Sequence, residues 1–178
     1  MQINPQHSRL ATDNLLKIME EEDTDIVCIQ EPYNIGNKIG GLPRSRTVLT
    51  SGEGKKRAGI VINNKHIDAI LITQLSDEDA TLMETRVGSV TFVIASTYFD
   101  IKRSIDEDLK KMQAVMTQAK GTGIVFAIDS NATSTSWHDV LTNKRRKAMI
   151  EFLISEHLQI ANEKSRYKRS KPTAERVI

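Results

Sequence analysis

Residues 124–139 read IVFAIDSNATSTSWHD. The apolar run Ile124 to Ile128 leads straight into Asp129, then Ser130, Asn131 and a hydroxyl-rich stretch closed by Trp137. A short apolar run bounded by turn-formers reads as a buried strand. No glycine follows to turn on. Asp and Asn favour turns, which accounts for one such strand end. The alternative is chemical: a rigid sheet aims an acid and an amide from its mouth.

Working outward, the same form recurs. QIN at 2–4 ends on Asn4, and IVCIQE at 26–31 ends on Glu31. VIASTYFD at 93–100 carries Tyr98 near its end. One apolar stem with a polar tip means little, but four carrying Asn, Glu, Tyr and Asp-x-Asn exceed what turns require. If the tips converge, they form a set for hydrolysing a phosphate ester. A carboxylate can hold Mg²⁺, which takes one or two carboxylates with waters and phosphate oxygens. A second carboxylate can orient or deprotonate the attacking water. Amides and a phenol can hydrogen-bond the phosphate as charge develops.

The remaining pattern alternates strands and helices. Ala11, Leu15, Ile18 and Met19 recur at helical spacing after Ser8, a candidate cap. Residues 34–56 hold five of the nine glycines and several cations, which predicts a long loop. AGIVIN at 58–63 predicts a strand, and ATLMETRV with SVTFVIASTYFD a strand pair turning at Gly88-Ser89. Ile105, Leu109, Met112 and Met116 mark a second helix. KRRKAMIEFLISEH at 144–157 marks a third, with Met149, Phe152 and Leu153 facing in, and LQIAN at 158–162 a short strand. This order predicts sheets packed inside helices, an α/β or α+β domain.

The chain's 178 residues suit one domain with a sizeable core. Its 39% apolar and 27% charged residues have a globular balance, no run approaches the ~20 residues of a membrane span, and no secretory signal is visible. Cys28 lies in the apolar run Ile26 to Ile29, a core thiol that fits a reducing compartment. One cysteine and four scattered histidines make no zinc site. Charge is uneven: residues 144–178 carry ten Lys or Arg against four Asp or Glu, a surplus of six. The first 143 residues have fifteen against nineteen. Such a cluster fits a polyanion partner or a solvated helix and tail. Lys144, Arg145 and Arg146 are candidates for DNA phosphates, although cations at a helix start oppose its dipole. Arg44, Arg46, Ser134 and Trp137 are candidates for reading DNA grooves; Trp137 equally fits a structural anchor.

QIN, DIVCIQEPY, RAGIVIN, STYFD and IDSNATSTSW, in that order, resemble the motifs of the exonuclease-endonuclease-phosphatase superfamily. They are most similar to the apurinic-type endonuclease domain of non-LTR retrotransposons. RRKAMIEFLISEHLQIANE followed by KPT resembles the segment after the Asp-x-Asn motif there. The resemblance covers nearly the whole chain. It implies a four-layer sandwich, two mixed β-sheets packed face to face and flanked by helices, as one domain over 1–178. It implies Mg²⁺-dependent cleavage of a DNA phosphodiester, with Mn²⁺ as a substitute. Glu31 would hold the metal and Asn4 shape the site. Tyr98 would contact the phosphate, Asp129 position or activate the water, and Asn131 bind the phosphate. The nick would supply a 3′-hydroxyl for a reverse transcriptase domain of the same polyprotein, acting on double-stranded chromosomal DNA in the nucleus.

The sequence departs from that pattern in two places. Gln6 stands where the superfamily often has an acid. A strand acid and a Ser-Asp-His motif are expected beyond ERVI, and none of His7, His66, His138 or His157 lies in such a motif. The expectation is a domain from a longer polyprotein, lacking its C-terminal strands in this chain and catalytically incomplete as it stands. A repair endonuclease or phosphoesterase of the same fold, and a DNA-binding module without chemistry, are the alternatives.

Overall fold

A computed structural model describes residues 1–131 and 144–161. Strand β1 (Gln2–Ile3) leads to helix α1 (Arg9–Glu21) and β2 (Ile26–Gln30). Strands β3 (Asn34–Ile35), β4 (Lys38–Ile39), β5 (Thr47–Leu49), β6 (Ala58–Ile62) and β7 (Ala69–Leu71) follow. A single 3₁₀ turn, Thr73–Leu75, precedes the long hairpin of β8 (Ala80–Val87) and β9 (Val90–Tyr98). Helix α2 (Ile105–Gln118), β10 (Gly123–Asp129) and α3 (Lys144–Ser155) complete the described elements.

Two four-stranded sheets form, ordered β1-β2-β6-β5 and β10-β9-β8-β7. Each is mixed in the same way. β1 pairs parallel with β2, and β10 with β9; every other pairing in the two sheets is antiparallel. The parallel pairs are joined through helices, α1 in the first sheet and α2 in the second, because a parallel crossover needs a long connection.

Strand periodicity fixes the layers. Val27 and Ile29 of β2, with Val61 of β6, pack on Leu15 and Met19 of α1. The alternate residues Cys28, Ile60 and Ile62 meet Met83 and Ala127 between the sheets. Leu82, Val93, Ala95, Phe126 and Ile128 face the other way, onto Met112 and Val115 of α2 and Met149 and Leu153 of α3. The stack is therefore helix, sheet, sheet, helices, as the resemblance implied. Leu15, Met19, Ile29, Ile60, Leu82 and Ile128 are fully buried. Each contributes roughly 1.5–3 kcal/mol by leaving water.

Helix ends follow their local chemistry. Ser8 caps α1 by accepting from the Ala11 amide, and Ser104 caps α2 by accepting from Asp106. After α1 the chain turns at Asp23 (φ 47°) with Thr24 bonding back to the Met19 carbonyl. After α3 it turns at His157 (φ 55°) with Leu158 bonding to Leu153. Both are six-to-one closures of Schellman type.

Two expectations need correction. Residues 34–56 are no plain loop: they contain the hairpin β3–β4 and the edge strand β5. Lys56 is buried and donates from Nζ to the Gly52 and Gly54 carbonyls, while Glu78 accepts from the Glu53 and Gly54 amides. Such closures let a glycine-rich segment hold one shape. The strand expected over 158–162 is not formed across 158–161, since Leu158 is spent on closing the helix.

Candidate active site

Parallel strands end at the same edge, and here both parallel pairs end at one edge of the stack. Asn4 follows β1, Glu31 follows β2, Tyr98 closes β9 and Asp129 closes β10. Their antiparallel neighbours begin at that edge, so Arg57 precedes β6 and Asp79 precedes β8. Topology alone thus delivers six polar side chains to one place. In sheets of parallel strands, the carboxyl ends are where ligands are commonly held.

Asn4 is the centre of the cluster. Its amide nitrogen donates to Glu31 Oε2 at 2.9 Å and to Asp129 Oδ2 at 2.6 Å. Its amide oxygen accepts from the Gln6 backbone at 2.8 Å, so the side chain cannot rotate freely. One amide bridges two carboxylates. Asn4 and Asp129 are buried, at 7% and 6% exposure, whereas the Glu31 side chain keeps 24%. Glu31 therefore faces outward and Asp129 lies beneath the amide.

The backbone here is held away from its preferred regions. Gln6, His7, Glu31 and Asn131 have φ of 50°, 59°, 45° and 49°, in the left-handed region. Each such residue costs about 1–3 kcal/mol and persists where its surroundings over-determine it. For Glu31 they do: its N–H donates to the Arg57 carbonyl at 2.8 Å, and its carbonyl accepts from His7 at 2.7 Å. Asn131 donates from its side chain to the Phe99 carbonyl at 2.8 Å.

Tyr98 borders Glu31 and Asn131. Burial pushes its phenol up to about 12, the negative charge of Glu31 adds to this, and Asn131 opposes it. At neutral pH the hydroxyl is therefore a donor. Arg57 sits over the Tyr98 ring, 5.4 Å from its centre. The guanidinium forks onto Asp79, reaches Asp100 at 2.5 Å, and shares Asp79 with Arg103.

The structure brings Asn4, Glu31, Tyr98, Asp129 and Asn131 together; the other sequence candidates lie elsewhere or outside the described residues. Arg46 pairs with Glu20 at 3.5 Å, just before the end of β5 that faces Ile62. That is the far end of the first sheet from Glu31, whose neighbour Gln30 faces Ala58. Arg44, on the same turn, is exposed there. Lys144 is exposed, but Arg145 is turned inward at 12% exposure, onto Asp108, the Ser130 carbonyl and the Arg103 carbonyl. Arg146 is half-buried. Ser134 and Trp137 lie outside the described residues.

Sequence reasoning missed Arg57, Asp79 and His7. Arg57 opens RAGIVIN, and its charge directly before an apolar strand was the signal. His7 places Nδ1 3.1 Å from the Pro32 carbonyl and Nε2 3.6 Å from Glu31 Oε1. Among the described residues no group of three or more His, Cys, Asp and Glu is placed to hold a metal ion.

Comparison with known proteins points one way. A family described as endonuclease-reverse transcriptase matches residues 92–178. A 115 kDa protein of the type-1 retrotransposable element R1DM of Drosophila melanogaster is 24% identical over 137 residues, covering 77% of this chain and 13% of that protein. A retrovirus-related Pol polyprotein of the type-1 element R1 of Bradysia coprophila is 26% identical over 103 residues, 56% of this chain and 10% of its own length. The chain thus spans about a tenth of these relatives. Among solved structures, the endonuclease domain of TRAS1, a telomere-specific non-LTR retrotransposon, superposes with a TM-score of 0.80 at 25% identity. That match covers 92% of this chain and 72% of the TRAS1 domain. An AP endonuclease of Leishmania major shares the fold, with a TM-score of 0.61 at 15% identity over 86% of this chain and 65% of that one.

Proposed function

We propose that this chain is an endonuclease domain of the non-LTR retrotransposon kind, within the exonuclease-endonuclease-phosphatase superfamily, and that it nicks duplex DNA by metal-assisted hydrolysis at the Asn4–Glu31–Asp129 cluster. The observation that carries the reading is the single Asn4 amide bridging an outward carboxylate and a buried one. Two carboxylates with one environment would do one job. Here burial and exposure divide them.

Glu31 has the exposure that a Mg²⁺ ligand needs, because the ion keeps waters and substrate phosphate oxygens beside one or two carboxylates. The donor set therefore fits an open oxygen site, with Mn²⁺ as a substitute. When bound, the metal supplies charge against the phosphate oxygens. Asp129, held in place by Asn4 and by the Asn131 amide at 3.4 Å, orients the attacking water. Tyr98 donates from its protonated hydroxyl, and Asn131 lies beside it to take a phosphate oxygen. The 3′-hydroxyl left by the nick would prime a reverse transcriptase domain in the same polyprotein, on chromosomal DNA in the nucleus. No helix among the described residues is long and apolar enough to cross a membrane.

The test is conversion of supercoiled plasmid to open circles with Mg²⁺ by the full-length domain that carries this chain. Asp129→Ala and Glu31→Gln are expected to lower the rate by ~10² to 10⁴ with the fold intact. Near-normal turnover by either variant would overturn the role given to it.

A further inference from the structure

We propose that His7 is a ligand to the metal, binding through Nε2 beside Glu31, so that the site is a mixed imidazole–carboxylate site rather than one of oxygen alone. This rests on the reading of Glu31 as the metal's carboxylate. The reasoning starts at the other ring nitrogen. His7 Nδ1 lies 3.1 Å from the Pro32 carbonyl oxygen, which can only accept. Nδ1 therefore carries the proton, and in the neutral ring Nε2 presents a lone pair. That lone pair faces Glu31 Oε1 at 3.6 Å, a second lone-pair donor.

A cation between them, either a proton or a metal ion, would bring two such atoms into favourable contact. A shared proton fits poorly, since N–H···O bonds run about 2.7–3.2 Å. A metal fits, because donors about 2.0–2.2 Å from one ion can span that separation. An imidazole whose Nδ1–H is fixed on a backbone carbonyl is the arrangement that orients a metal-bound histidine.

The backbone supports the same conclusion. His7 N–H donates to the Glu31 carbonyl at 2.7 Å, and both residues stand at positive φ. Two strained residues tied to each other keep their side chains side by side. The imidazole remains 40% exposed, so an ion can reach it. A nitrogen donor also shifts metal preference. Carboxylate and water suit Mg²⁺, whereas imidazole favours later divalent ions, Mn²⁺ above Mg²⁺ among those usual for this chemistry.

The experiment is pulsed electron paramagnetic resonance of the full chain loaded with Mn²⁺, with and without ¹⁵N-histidine. A directly bound histidine nitrogen is expected to appear in the wild type, to change with the isotope, and to vanish in His7→Gln. Mn²⁺ affinity should fall about tenfold or more in that variant, the scale of losing a supporting group at a metal site. Mg²⁺ affinity, read by competition, should change far less. Circular dichroism of His7→Gln checks that the fold is kept. Mn²⁺ binding that depends on Glu31 but shows no histidine nitrogen, or a nitrogen signal that survives His7→Gln, overturns the role of His7 alone. Mn²⁺ binding that Glu31→Gln leaves unchanged overturns the metal reading and this inference with it.

Discussion

Single side chains at this site do two jobs, and substitutions should separate them. Asn4 keeps two carboxylates together by donating to both. Asn4→Ala removes the donors and leaves the Asp129 carboxylate buried without this partner, at about 1–3 kcal/mol. It should also lower the nicking kcat by ~10²-fold while changing KM little, as for a group that acts on the reacting centre. Plasmid kinetics and urea unfolding measure the two effects. An unchanged kcat would make Asn4 a purely structural bridge. Arg57 is the complementary case. It stacks on Tyr98 and grips Asp79 with a planar fork. Lysine cannot reproduce a fork, so Arg57→Lys should lose nearly as much stability as Arg57→Met, about 2–3 kcal/mol by urea unfolding. Full rescue by lysine would show that only the charge matters. Asn4, Glu31, Tyr98, Asp129 and Asn131 were legible in the sequence because each ends an apolar stem. His7 and Arg57 were not, because their roles come from a strained turn and from an antiparallel neighbour, and neither leaves a period in the chain.

Among the elements, α3 shows where linear reading fails. Its first turn, Lys-Arg-Arg-Lys, reads as a uniform basic face for DNA or for solvent. In the structure Arg145 instead joins α3 to the first turn of α2, through Asp108 at 3.4 Å. Charge in a sequence carries no direction, so this pairing could not be read from it. Strand β5 was missed for another reason: at three residues it is too short to show alternation. The α2–α3 contact has a pH signature. Burial pushes the Asp108 carboxyl up to about 6 from its ordinary 3.8, with Arg103 and Arg145 pulling against it. A raised carboxyl means that the folded state holds the proton more tightly than the unfolded chain. Its contribution to stability is therefore complete below about pH 4 and is lost as pH rises through about 6. Asp108→Asn should gain on the wild type across that window, by about 2–3 kcal/mol. Urea unfolding at pH 4, 5, 6 and 7 checks it, and a difference that stays flat removes the assignment. In the same helix Lys144→Ala should flatten the salt dependence of DNA binding by about one phosphate contact. Arg145→Ala should instead lower stability.

Across the whole molecule, the geometry of the candidate site depends on how two separate sheets are held in register. Apolar packing alone would let them slide, since Met83 and Ala127 against Cys28 and Ile60 have no direction. A buried polar chain supplies the direction. Gln30 is fully buried and donates to Ser96 Oγ at 2.9 Å and to the Ala127 carbonyl at 3.1 Å, both in the second sheet. It accepts from Gln2 at 3.0 Å within the first, and Ser96 donates back to the Ile29 carbonyl at 3.2 Å. Gln30 directly precedes Glu31, and Ala127 stands two residues before Asp129. The network therefore fixes the offset between the two carboxylates from directly below. The alternation that made the layers readable gave no hint of it, because Gln30 sits where the pattern asks for an apolar residue. Gln30→Met keeps the volume but leaves the Gln2 amide without its acceptor and the Ser96 hydroxyl without its donor. Each lost partner costs about 1–3 kcal/mol, so unfolding should shift by about 2–4 kcal/mol. If the network also sets the offset of Glu31 from Asp129, kcat should fall about tenfold or more, since small misplacements at a reacting centre are costly. Adding Gln2→Met removes one stranded donor and should recover part of the stability without restoring kcat. That split between stability and rate decides the matter: a Gln30→Met protein that is less stable but turns over at the wild-type rate would show that the network holds the sheets without aligning the site.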